Sequence, residues 1–399
     1  MFGDLWGDLA VKIIGRIREK DILSSCLSSK RPEFVVVYGR RRVGKTFLIK
    51  EFFKSALEFF WNSWASTQED LLMIVCGSAT SWIINHMLKE RKGFHNRVTR
   101  RIQLLPFRLR ECKELLDYNG IVMTRPQTVE CYMIFGGIPY YLNLLDSRLS
   151  LAQNIDELMF KPYGDLKDEY TELFYSLFKK PEKHMAIIKA LSEAKNGKTR
   201  KELSEVKTIG GGSVLTENLK ELEQCGFIRK YSNYTKPVNG AFFQLIDPFV
   251  LFSLRFLQSR KIDSWLKYMH SPSYNAWRGN AFEICCVNHV PEIKASLGIA
   301  GVDTNEFAWR SEESDPGAQI DLLIDRKDGI INLCEMKYTD DAFEVDKSEY
   351  GKLMNRLSSF QKETTPKKAI HMTLISANGI AKGKYASVFQ NVITCEQLF

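Results

Sequence analysis

Phe34-Val35-Val36-Val37-Tyr38 is a short apolar run rich in β-branched residues, and it stops at Gly39-Arg40-Arg41-Arg42-Val43-Gly44-Lys45-Thr46 with a helical pattern behind it. Strand, glycine turn, Gly-Lys-Thr and helix in that order leave the chain few choices: this is a phosphate-binding loop in its required context. The glycines let backbone N–H groups close around phosphate oxygens, and the helix behind them directs its positive end at the same point. Lys45 is placed to reach the β and γ phosphates, and Thr46 to offer its hydroxyl to Mg²⁺. ATP with Mg²⁺ is the expected ligand, held by Gly39, Arg40, Arg41, Arg42, Val43, Gly44, Lys45 and Thr46. Such a loop is fed by a parallel sheet covered with helices, so an α/β class is expected.

The 399 residues are too many for one core and suggest about two or three domains. Composition is that of an ordinary globular chain, with 44% hydrophobic and 26% charged residues, which excludes disordered, collagenous and coiled-coil classes. The formal net charge of +8 is modest for this length and does not by itself indicate nucleic acid. The most apolar region, Leu71 to Leu88, contains Gly77, Ser78, Asn85 and His86, so no membrane span is expected. The first residues carry Asp4 and Asp8 rather than a basic leader, and a cytoplasmic location follows as an expectation. Nine scattered cysteines without a C-x-x-C pair read as reduced core residues.

Changes of pattern divide the chain into four parts. Residues 1–111 alternate strands and helices, and 112–181 are helical. Residues 182–257 hold two short helices, a Gly-rich turn, a third helix and a strand-rich stretch, the pattern of a winged helix-turn-helix. Residues 274–399 return to strands and helices around acidic residues. The third helix of the winged helix carries Thr216, Asn218 and Lys220, with Lys207, Arg229 and Lys230 nearby. It is expected either to touch DNA phosphates or to serve as a protein-packing or lid module.

The series Tyr38 to Thr46, then Cys76-Gly77-Ser78, then Leu105-Pro106-Phe107, then Gly136-Gly137-Ile138-Pro139-Tyr140-Tyr141-Leu142 resembles the prokaryotic ATPases of the archaeal-type AAA-like family. Ile13-Ile14-Gly15-Arg16 with Glu19 resembles the box that precedes the loop in such ATPases and puts Arg16 near the adenine. The resemblance implies that the Cys76 strand lies beside the loop strand, that Ser78 faces the γ-phosphate, and that Arg97 is a phosphate-sensing arginine. It also implies a second acidic motif, the Walker B strand, whose Asp holds Mg²⁺ through water while its acidic neighbour polarises the attacking water. Between Thr46 and the next strand, Leu71 to Cys76, there is room for one crossover and no further strand. An internal deletion near Lys54 and Ser55 is inferred, with a single helix from Phe47 to about Ser66 making the connection.

Gln319 to Asp325 and Ile330 to Tyr338 read as two strands around the turn Lys327-Asp328-Gly329. With a three-residue loop, Asp321 lies opposite Glu335, and alternation puts Lys337 on the same face. Two carboxylates and an ammonium in that arrangement suit a divalent metal on Asp321 and Glu335, with Lys337 orienting or deprotonating water. The segment resembles the PD-(D/E)XK nuclease-like domain of the same ATPase family, with Glu283 matching an additional acidic position. A structural ion pair of Lys337 with one acid is the alternative.

The expected architecture is a truncated P-loop NTPase parallel sheet, a helical lid, a winged helix-turn-helix and a C-terminal α/β restriction-endonuclease-like domain. The expected function is ATP binding with poor hydrolysis, coupled to a DNA-associated nuclease-like domain with catalytic residues Glu283, Asp321, Glu335 and Lys337. The competing reading is a degenerate, non-catalytic scaffold that meets a protein partner.

Overall fold

A computed structural model of the chain describes residues 13–29, 33–49, 52, 73–77, 100–258, 262–311 and 313–399. The chain divides into two compact units, Met1–Pro106 with Ile138–Tyr140, and Phe107–Gly137 with Tyr141–Phe399.

In the first unit, helix Ile17–Ser28 accompanies a parallel sheet of β1 (Phe34–Tyr38), β2 (Met73–Gly77) and β3 (Arg100–Gln103), in the order β2-β1-β3. Val35, Val36 and Val37 are fully buried, as a central parallel strand covered on both faces requires. The strand containing Cys76 lies directly beside the loop strand, with Val36 opposite Val75, and β3 occupies the other flank, with Val36 opposite Arg101. The three described strands end in Tyr38, Gly77 and Gln103, none of them an acidic pair. Residues 45–49 are helical. Most of the single helix and the inferred deletion at Lys54 and Ser55 lie outside the described residues.

The second unit is built on one eight-stranded sheet, in the spatial order Asn391–Thr394, Ala369–Ser376, Ile330–Lys337, Gln319–Arg326, Thr304–Arg310, Ile228–Asn233, Lys236–Leu245, Lys198–Thr199. Helices Glu182–Ser192, Arg200–Ser204 and Gly212–Gln224 belong with β4 (Lys198–Thr199), β5 (Ile228–Asn233) and β6 (Lys236–Leu245). These strands pair antiparallel as a small sheet. Helix Pro272–Asn288 then leads to an antiparallel meander of β7 (Thr304–Arg310), β8 (Gln319–Arg326) and β9 (Ile330–Lys337). After helix Lys347–Thr364 come β10 (Ala369–Ser376) and β11 (Asn391–Thr394), β10 parallel to β9 and β11 parallel to β10. The two strand sets fuse where Asn233 of β5 pairs with Ala308 of β7 and the Tyr234 N–H donates to Ala308 O at 3.0 Å. Tyr234 packs against Phe307 and Phe360, so the turn between β5 and β6 joins the C-terminal core. The junction covers a sheet edge that would otherwise invite pairing with another chain.

The Leu105-Pro106-Phe107 and Gly136-Gly137 segments owe their chemistry to packing. The Phe107 N–H donates to Gly137 O at 2.6 Å, and a β-carbon on Gly137 would lie 1.8 Å from Phe107 O. Only glycine permits that approach, so Gly137→Ala should destabilise the chain by about 3 kcal/mol or more. The loss should appear as a lower denaturation midpoint at unchanged slope. An unchanged midpoint would contradict this contact.

Helices Leu109–Tyr118 and Pro272–Asn288 are joined through a fully buried imidazole. His289 Nε2 accepts the Leu109 N–H at 2.9 Å, and His289 Nδ1 lies 2.7 Å from Cys285 O, which it can bond only as a donor. Both nitrogens are thus used by the neutral ring, and burial pushes its pKa down to about 4. In the unfolded chain the ring ionises near 6.5, so the unfolded state takes up the proton first. Stability from His289 is complete above pH 6.5 and is lost as pH falls toward 4, by about 3 kcal/mol in total. Thermal unfolding between pH 7 and 4 should show this slope, and His289→Gln should flatten it; equal slopes would rule out the assignment.

The eight cysteines whose side chains are described are all buried and free, as expected. Among the described residues no helix is long and apolar enough to cross a membrane.

Candidate nucleotide site and acidic cluster

The loop after β1 has the backbone its sequence asks for. Gly39 and Gly44 adopt φ of 153° and 87°, and Arg42 sits in the left-handed region at 69°. A β-carbon on Gly39 would stand 2.3 Å from Leu104 O, so the loop is pressed against the segment following β3. The Lys45 ammonium is buried under the loop, donating to Gly39 O at 2.9 Å and Arg40 O at 2.6 Å. Thr46 is exposed where the helix begins. Arg40 is buried, Arg41 is exposed, and the Arg42 guanidinium lies over the Tyr140 ring at 4.3 Å. Arg16 is buried and braces the loop: its guanidinium donates to Val43 O and to Leu105 O, each at 2.9 Å. Ser78 and Arg97 lie outside the described residues.

In the second unit, β8 and β9 pair with Leu322 opposite Cys334 and Asp325 opposite Ile331. Continued one step, that register sets Asp321 against Glu335, as the three-residue loop requires. Alternation then puts Asp321, Leu323, Leu333, Glu335 and Lys337 on one face. Leu323 and Leu333 share a core with Leu353 and Phe360 of helix Lys347–Thr364. Glu349, Leu353, Arg356 and Phe360 follow at spacings of one helical stripe, so the apolar part of that stripe anchors the core while its charged part reaches the strands.

Lys337 Nζ lies 2.7 Å from Glu349 Oε1 and 3.0 Å from Glu335 Oε1, and Arg356 closes on the other oxygen of Glu335. Burial would lower the Lys337 pKa, but Glu335 and Glu349 more than reverse this and hold it above its usual value. Glu283, on helix Pro272–Asn288, pairs with Lys195 at 2.8 Å. Burial, reinforced by the charge of Asp321, pushes the Glu283 carboxyl up to about 8 against the pull of Lys195. Asp321 accepts a hydrogen bond from the Gln319 amide, whose oxygen accepts one from Asn196. A cavity of about 20 Å³ beside Asp321, bordered by Asn196, Tyr231, Trp309 and Gln319, has room for roughly one water.

Four carboxylates thus meet Lys195, Lys337 and Arg356. The carboxylate oxygens of Asp321 and Glu335 are the donor type a hard divalent ion takes. In this arrangement their charge is answered by protein cations, and among the described residues no group of three His, Cys, Asp or Glu side chains stands ready for a metal. Lys195, Glu349 and Arg356 were not among the residues expected from the sequence. The helical stripe carried a signal for Glu349 and Arg356; Lys195 is brought in by tertiary packing alone.

Helix Gly212–Gln224 fits the first of its two expected roles, contact with DNA phosphates, poorly. Asn218 is buried on the core face with Leu215, Leu219 and Leu222, so it cannot meet a phosphate. Thr216 is engaged by Arg200, and Lys220 lies 3.7 Å from Glu217. Glu217, Glu221 and Glu223 leave this helix with more acid than base, the opposite of a surface that tracks a phosphate backbone.

No protein-family profile matches the chain. An uncharacterized protein of Methanocaldococcus jannaschii is 22% identical over 311 residues, covering 61% of this chain and 68% of that protein. Among solved structures, similarity extends to the Walker-type ATPase paby2304 of Pyrococcus abyssi, with a TM-score of 0.44, 15% identity, and 61% of this chain and 96% of that one covered. It extends also to the ORC2 protein of Aeropyrum pernix in ADPNP-ADP complexes, with a TM-score of 0.34, 12% identity and coverage of 63% and 96%. All are distant likenesses, and the reading of the nucleotide site rests on the loop itself.

Proposed function

We propose that this chain is an ATP-binding protein of the archaeal-type AAA-like ATPase class, poor in hydrolysis, joined to a nuclease-like C-terminal domain. The observation that supports it most is the loop after β1, with two glycines and Arg42 at positive φ and Lys45 drawn beneath the loop carbonyls at the head of a helix. In this reading Thr46 would hold the Mg²⁺ that accompanies ATP, and Ser78 and Arg97 would sense the γ-phosphate. Poor hydrolysis is expected because none of the described strands of the loop sheet ends in an acidic pair.

The C-terminal assignment draws on the order helix, three-strand meander, helix, parallel strand, with Asp321, Glu335 and Lys337 sharing one face. Asp321 and Glu335 would hold Mg²⁺, which would supply Lewis-acid activation, Lys337 would position water, and DNA would be the substrate. The rival scaffold reading is favoured by one observation, the matching of every acid in the cluster by a basic or amide partner.

Calorimetric titration of the full chain with ATP and with ADP tests the nucleotide reading. Saturable binding with one site per chain is expected; a flat titration with both nucleotides would refute it.

A further inference from the structure

The phosphate-binding loop needs a backbone that a chain of L-residues resists. Gly39 and Gly44 take positive φ at little cost, but the residue between them that does the same is Arg42, at φ of 69°. Left-handed residues in such a turn bring successive N–H groups to one side, and that concavity is what receives an anion. A residue other than glycine stays there only where its surroundings hold it. Two holds act on other loop residues: Leu104 O closes on Gly39, and the Arg16 guanidinium donates to Val43 O at 2.9 Å.

Arg42 has an aromatic hold. Its guanidinium lies over the Tyr140 ring, 4.3 Å from the centroid, well within reach of a cation–π contact. Tyr140 comes from far along the chain, directly after Pro139, whose ring fixes the backbone at the start of helix Pro139–Leu142. The tyrosine is 40% exposed, so trimming it opens little void. Side chain and backbone of Arg42 constrain each other. Without the ring to lie on, the guanidinium would free the residue to leave the left-handed region, and the loop N–H groups would turn with it.

We propose that Tyr140 is a positioning residue of the nucleotide site: it holds Arg42 in the left-handed conformation and so keeps the loop amides preformed for phosphate. The inference rests on the reading of this loop as a nucleotide site. A preformed loop has less to order when the ligand arrives, so the contact adds affinity without touching the ligand. The gain is limited to what one partly exposed cation–π pair supplies, a few-fold in binding.

Calorimetric titration of the full chain with ADP in the presence of Mg²⁺ tests this. Tyr140→Leu, which keeps apolar bulk and removes the ring, should bind ADP on the order of fivefold more weakly than wild type, while Tyr140→Phe should stay near wild type. Arg42→Gly relieves the backbone strain, so adding Tyr140→Leu to it should cost no further affinity. Wild-type affinity in Tyr140→Leu would overturn the positioning role. So would an equal loss from Tyr140→Leu in the wild-type and Arg42→Gly backgrounds, or a loss in Tyr140→Phe as large as in Tyr140→Leu. Should Tyr140→Leu fail to fold by circular dichroism, Arg42→Met keeps the strain and removes the cation. It should show the same loss, and wild-type affinity there would overturn the role as well. A flat titration of the wild type would instead remove the nucleotide site itself.

Discussion

Lys45→Ala should bind ATP and ADP on the order of 10²-fold more weakly than wild type, the loss expected when a charge-assisted contact to phosphate is removed. The structure places the ammonium under the loop, bonded to Gly39 O and Arg40 O, a short reach from where phosphate oxygens would sit above the same backbone. Nucleotide binding would exchange those neutral carbonyl partners for negatively charged ones, and the gain from that exchange is what the substitution deletes. Removal also strands two loop carbonyls, so titrations belong at a temperature where circular dichroism shows both proteins folded. Lys45→Arg keeps the charge but brings a planar fork into a buried position, and it should recover little. Equal nucleotide affinity in wild type and Lys45→Ala would remove the loop from the binding site.

Local chemistry was legible in the sequence, and long-range assembly was not. The loop after β1 follows from an apolar run meeting Gly-x-x-x-x-Gly-Lys-Thr, and the β8–β9 register follows from a turn whose Gly329 adopts φ of 92°. Both are fixed by residues adjacent in sequence. The three helices between Glu182 and Gln224 and the strands that follow them were also readable, because their apolar spacing is short-range. The fusion of β5 with β7 was not, since it depends on one bridge, Asn233 to Ala308, between strands far apart in the chain. For the same reason Lys195 could not be assigned to the acidic cluster: nothing near residue 195 indicates that it meets Glu283. Asn218, a candidate phosphate contact by its polarity, stands three residues after Leu215 and four before Leu222, which sets it on the apolar stripe. Arg16 was expected near a base. Its commitment to Val43 O and Leu105 O shows that a charged side chain in such a box can act on the loop backbone.

Hydrolysis by the wild-type chain should be slower than about 0.1 s⁻¹, on the order of 10² below a typical enzyme, because no acidic pair closes the described strands of the loop sheet. In an ordinary P-loop ATPase one acid of that pair orients Mg²⁺ through water and the other polarises the attacking water. If no acid of the remaining residues takes their place, Thr46 would be the side chain left to hold Mg²⁺, and no carboxylate would polarise the water. Binding should be spared, because the loop backbone and Lys45 are the groups expected to contact the phosphates directly, so ATP should persist on the protein long enough to act as a switch. Phosphate release measured beside ATP binding in the same samples distinguishes the two properties. Tight binding with phosphate release near the uncatalysed rate is expected. Rapid Mg²⁺-dependent release that vanishes in Lys45→Ala would show that another acid polarises the water. Glu58 and Asp70, which lie in the stretch between Thr46 and β2, would then be the first to replace with the corresponding amides.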